Sequence, residues 1–171
     1  GIGGGRMNPA VVARALLTRI QADTTLYSGG WTSALAGGAS FNKASPQAPA
    51  FPYMVFAVDV NAENYLGGLE GPAEITLTVF DQDAFGTDRI EVVIDRLIGD
   101  AVLASGTWST PTYGLHNHKL ALPSLGSTNV LGASCSEINF TGASIGPSDT
   151  VNVNQATVTF NARLSKQAAN V

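Results

Sequence analysis

The chain has 171 residues, room for one domain of ordinary size, and its 44% hydrophobic content sets it among globular rather than disordered chains. Only 13% of its residues are charged, about half the usual share, while 13 Ser, 15 Thr and 11 Asn give a surface that is polar with little charge. A net charge of −4 with no basic stripe argues against a nucleic-acid binder, and the single cysteine, Cys135, excludes an internal disulfide and a cysteine metal cluster.

A domain of this length buries enough surface to fold without disulfide or metal. No apolar run reaches the roughly 18 residues of a membrane span, and no signal-peptide pattern is visible. Both point to a protein that is made and used, or assembled, inside a cell. A weakly charged surface suits a subunit packed against copies of itself.

Residues 1–6 (GIGGGR) precede Met7, a plausible native start, and read as a flexible extension or a cloning scar. They fail as a phosphate loop, since no strand precedes them and the glycine spacing is wrong. The spacing of Val12, Leu16 and Ile20 predicts a first helix over residues 9–22, with Asn8 as cap and Pro9 in the first helical position. Residues 28–50, rich in Gly, Ala, Ser and Pro, read as a long loop, and Trp31 and Phe41 within it suggest that it docks on something.

Residues 51–60 (FPYMVFAVDV) read as a strand apolar on both faces, and residues 61–73 as a glycine-interrupted hairpin connection. The alternation of Ile75, Leu77 and Val79 with Thr76 and Thr78 predicts a half-buried antiparallel strand over 74–81. After a turn at Phe85-Gly86, Thr87 opens a second helix. Its apolar face carries Ile90, Val93, Ile94, Leu97, Ile98 and Ala101, the clearest periodicity in the chain. Weaker strands are expected at 106–113 and 115–122, and stronger ones at 136–141 and 151–164, the last the longest. Strand runs with two inserted helices give an α+β fold: a mostly antiparallel sheet with both amphipathic helices on one face.

No motif yields a catalytic centre. Residues 142–146 match G-x-S-x-G around Ser144, but Pro147 and a polar turn follow instead of a helix, and both histidines precede the serine; a plain turn between strands is expected. His116 and His118, two apart, would share one side of a strand, yet no third metal ligand is near in sequence. Asp81, Gln82 and Asp83 begin like a calcium loop, but Phe85 and Val92 stand where oxygen ligands are needed. Ser40 and Lys43 match S-x-x-K inside a loop with no partner motif. Asn139-Phe140-Thr141 is a glycosylation sequon that matters only in a secreted chain, and Cys135 reads as a small packing residue. No enzyme activity, cofactor or metal is therefore expected.

Taken in order, the N-terminal helix with its ADTTL continuation, the Gly-rich loop, the APAFPYMVFAVDV strand over 48–60, the strand-turn-helix EITLTVFDQDAFGTDRIEVVIDRLIGD over 74–100 and the closing ATVTFNARL strand over 156–164 resemble the tail terminator, or tail completion, family of long-tailed bacteriophages. The resemblance covers nearly all of a single domain over 7–171. Residues 105–150 are longer than the family pattern, so extra strands or an extended loop are expected there.

The resemblance implies a virion structural protein. It would form a ring, by expectation a hexamer, at the head-proximal end of the tail, assembled in the host bacterial cytoplasm. The ring would terminate the tail tube and join it to the head-tail connector. Its implied partners are its own copies, the tail-tube protein and connector or adaptor proteins. DNA would pass through the lumen without specific binding, and no membrane is involved. Trp31, Phe41, Tyr65, Leu66, His116 and His118 are the expected partner contacts. The alternatives are another virion structural protein (head-tail adaptor or stopper, tail-tube or minor capsid protein) or, last, a hydrolase using Ser144.

Overall fold

A computed structural model describes residues 9–26, 39–41, 50–61, 63–65, 68–82, 84, 86–99, 103–104, 107–108, 113–118, 120–122 and 133–167. Among these, two helices, α1 (Pro9–Gln21) and α2 (Asp88–Ile98), accompany nine strands. The strands are β1 (Ala39–Phe41), β2 (Tyr53–Val60), β3 (Glu63–Tyr65), β4 (Gly68–Gln82), β5 (Leu103–Ala104), β6 (Thr107–Trp108), β7 (Leu120–Leu122), β8 (Ala133–Pro147) and β9 (Val153–Gln167). The main sheet runs β1-β2-β4-β9-β8-β7, with β3 beside β4, and β5 and β6 pair separately. Among the described strands of the main sheet, only the β1–β2 pair is parallel. The fold is α+β, as the pattern of elements predicts.

Period-two alternation explains the sheet's two faces. Met54, Phe56 and Val58 of β2, Ile75, Leu77 and Val79 of β4, and Ala156, Val158 and Phe160 of β9 line one face and are buried. Val12, Leu16 and Ile20 of α1 and Ile90, Val93, Ile94 and Leu97 of α2 join the same core, so both helices cover that face. The other face carries Thr76, Thr78, Thr157 and Thr159, all half-buried. Each fully buried Leu, Ile or Phe is worth about 1.5–3 kcal/mol against exposure. The sheet core therefore supplies most of what holds the helices.

Several expectations are corrected. The stretch 28–50 is not all loop: residues 39–41 form β1 beside residues 54–56 of β2. β4 begins well before Glu74, since Gly68, Gly71 and Pro72 lie inside it and pair with β9. Pro72 fits there because β4 changes neighbour at that point, from Val60 opposite Ala73 to Glu63 opposite Glu70. Only its carbonyl is used, accepting from the Asn61 N–H at 3.0 Å. The segment 142–146 is strand, not turn: Gly142, Ser144 and Gly146 pair with Thr159, Thr157 and Gln155. The turn comes later, over residues 148–152. β9 is not the longest strand, since β4 and β8 also have 15 residues. Thr87 stands at the start of α2 without a side-chain capping bond, and Gly99 closes the helix with its N–H donating to the Asp95 carbonyl. The expected strand over 115–122 survives only as β7, because residues 113–118 fold into a turn. Asn8, Asp83 and Lys43 lie outside the described residues, as does Ala101.

Candidate interaction surface

Two polar clamps position the helices. At the end of β4, the fully buried Asp81 carboxylate accepts from Arg89 Nε at 2.8 Å and from Arg89 Nη2, and also from the Gln82 N–H. Asp81 is thereby committed to an ion pair with Arg89. The hydrogen bond to Asp81 holds the Arg89 guanidinium above its ordinary pKa, against the effect of its partial burial. At the other end of α2, Arg96 grips the buried Asp23 through Nε at 2.9 Å and Nη2 at 2.7 Å. Its guanidinium lies 3.4 Å from the centre of the Tyr113 ring.

The turn at residues 113–118 ties three elements together. The Leu115 and His116 N–H groups donate to the Leu97 and Ile98 carbonyls, satisfying the last turn of α2. The Gly114 carbonyl accepts from Arg19 Nε of α1 at 3.1 Å. On the sheet side, the Asn117 N–H donates to the Ile138 carbonyl at 2.8 Å, and His116 Nδ1 accepts the Phe140 N–H at 3.0 Å. The turn thus stands in for a neighbouring strand along this part of β8. His118 is half-buried, and burial first, then the nearby Arg19 cation, holds it below its ordinary pKa.

β8 is bulged where the turn meets it, with register shifts between Ser136 and Asn139 and again between Phe140 and Gly142. Thr141 Oγ1 fastens the second bulge, donating to the Thr159 carbonyl at 3.0 Å. Beyond it, β8 runs straight to Pro147 against β9. β7 pairs only with residues 133–135, and no described strand lies against the outer edge of 141–147. Thr141, Ala143, Ser144, Ile145 and Pro147 are exposed there, Ile145 at 43%. Val151 stands out at the tip of the β8–β9 turn.

The expected contact residues are scattered. His116 and His118 share the turn, but the histidines are not aligned on a strand, and His116 Nδ1 is already taken by Phe140. Among the described residues no group of three His, Cys, Asp or Glu could hold a metal ion. Tyr65 lies in β3 and Phe41 in β1, while Trp31 and Leu66 lie outside the described residues. Ser144 sits in mid-strand without the strained elbow that would activate it. Cys135 is buried, and burial pushes its thiol up to about 12. The β8 edge with no described strand beside it leaves no signal in the sequence, because Gly142 and Gly146 look like turn formers.

No protein-family model matches the chain, and no curated protein matches it in sequence. Its fold does match a solved one. A chain described as "Virion of native gene transfer agent (GTA) particle" superposes with a TM-score of 0.55 at 18% identity. The match covers 91% of this chain and 98% of that chain. At this identity the likeness is one of fold. No described helix is long and apolar enough to cross a membrane.

Proposed function

We propose that this chain is a structural protein of a phage-type virion. Within the virion it forms a hexameric ring at the head-proximal end of the tail, where it terminates the tail tube and meets the head-tail connector. The observation that carries this reading is the fold shared, over nearly the full length of both chains, with a chain of a virion particle. The order of sequence features resembling tail terminators supports the position in the neck. A weakly charged, net acidic surface agrees with a lumen through which DNA slides without being gripped.

Its partners are then its own copies, the tail-tube protein and the connector proteins, and its place is the virion, after assembly in the host cytoplasm. The contacts are assigned to Trp31, Phe41, Tyr65, Leu66, His116 and His118. The role is architectural and needs no catalytic group.

The fold match concerns a virion without fixing a position in it, so it supports equally a second reading, another virion structural protein such as a tail-tube subunit, a head-tail adaptor or stopper, or a minor capsid protein. Negative-stain images of the purified chain separate the two. Closed rings of uniform diameter support the terminator, and long tubes support the tube subunit. Single particles with no assembly, even when tail-tube protein is added, contradict both.

A further inference from the structure

We propose that the outer edge of β8 over residues 141–146 is a strand-addition surface that receives the sheet edge of a second copy of this chain. The inference rests on the ring reading and names the surface that would close the ring.

A sheet edge carries a row of N–H and C=O groups that a further strand can pair, and natural edges are blunted by charge, proline, bulges or a covering segment. β8 uses two of these devices, and only along part of its length. Over residues 138–140 the turn covers the strand, through Asn117 to the Ile138 carbonyl and His116 to the Phe140 N–H. The second bulge ends at Gly142. From there to Gly146 the pairing with β9 has no further register shift, no described strand covers the edge, and it carries no charged residue. An incoming strand meets an obstacle at Phe140, whose amide is already used, and a natural end at Pro147. The surface therefore accepts about five or six residues, an ordinary strand length.

A second copy fits because the chain carries the complementary row itself. On the opposite side of the sheet, β1 reaches only Phe56 of β2, and no described strand lies against the outer edge of β2 over residues 57–60. Joining the β8 edge of one copy to the β2 edge of the next is a head-to-tail contact. Such a contact repeats by rotation, giving a ring where the rotation closes and a filament where it does not. The neutral 141–146 edge brings no charge repulsion to it, and Ile145 would be covered by it.

The test uses the full chain in analytical ultracentrifugation over a concentration series, with thermal melts and hydrogen exchange on the same samples. Ala143→Lys/Ile145→Lys puts two charges on exposed positions of the edge, and Val92→Lys is the control on the exposed side of α2. The double variant is expected to associate at least tenfold more weakly than the wild type with an unchanged melt, while Val92→Lys associates normally. Amides of 141–146 in the wild type are expected to exchange at least tenfold more slowly when concentrated than when dilute. Should the double variant fold poorly, the wild-type exchange decides alone. Rings formed normally by a folded double variant, or rings whose 141–146 amides gain no protection, overturn the edge and leave the ring reading standing. A stable dimer protected at 141–146 shows the two β8 edges pairing with each other, which overturns the head-to-tail contact. A wild type that never associates, alone or with added tail-tube protein, overturns both.

Discussion

Gly99 and Gly114 allow the turn at residues 113–118 to approach the end of α2. Both have positive φ, 111° and 81°, and a Cβ on Gly114 would lie 2.3 Å from Gly99 Cα. Gly114→Ala is expected to destabilise the fold by about 2–3 kcal/mol, from backbone strain and displacement of the turn, as a denaturant titration would measure. His118, in the same turn, ties stability to pH. Its pKa is depressed in the folded chain by burial and by Arg19, so on acidification the unfolded chain takes up the proton first. The folded state thus loses stability as pH falls below about 6.5, the ordinary histidine value. His118→Gln is expected to flatten the change in melting temperature between pH 7.5 and 5.5, and an unaltered pH profile would contradict this. Nothing local in the sequence announces these roles. His116 meets Phe140 across 24 residues, and Arg96 meets Asp23 across 73. Only the folded chain brings such pairs together.

At the scale of elements, legibility follows how self-sufficient each one is. α2 was legible almost to the residue, because Ile90, Val93, Ile94 and Leu97 form one apolar stripe whatever they pack on. β2 and the alternating half of β4 were legible for the same reason at period two. The rest was set by tertiary pairing that overrides local signals. Gly68, Gly71 and Pro72 read as breakers, yet β3 and β9 hold them in a strand. Gly142 and Gly146 read as a turn, yet β9 extends β8 through them. β1 has three residues and exists because β2 offers it an edge. The seating of α2 on β4 depends on Asp81 and Arg89. Arg89→Ala would leave a carboxylate of 0% exposure without its cation. We expect a cost of about 2 kcal/mol, less than for a fully buried pair because the Arg89 side chain keeps 38% exposure. Chemical denaturation would read it, and a stability within about 0.5 kcal/mol of wild type would contradict it.

For the whole molecule, the candidate surface was less legible than the fold. The sequence pattern anticipated the α+β fold, while the phage neck reading rests on resemblance. It did not locate an interface, because a free sheet edge is a property of the assembled sheet and not of any one strand. Among the described residues, helices cover one face, and no strand lies against the neutral edge of β8 over 141–147 or against β2 over 57–60. Those are the parts that the proposed contact between copies would use.

The most direct test of that account is the molar mass of the purified chain by light scattering across a concentration series. A hexameric ring gives a mass that rises to a plateau near six chains of 17.6 kDa, about 106 kDa, and stays there. A mass fixed at 17.6 kDa at every concentration, with no assembly even when tail-tube protein is added, or one that grows without a plateau, would contradict a hexameric ring.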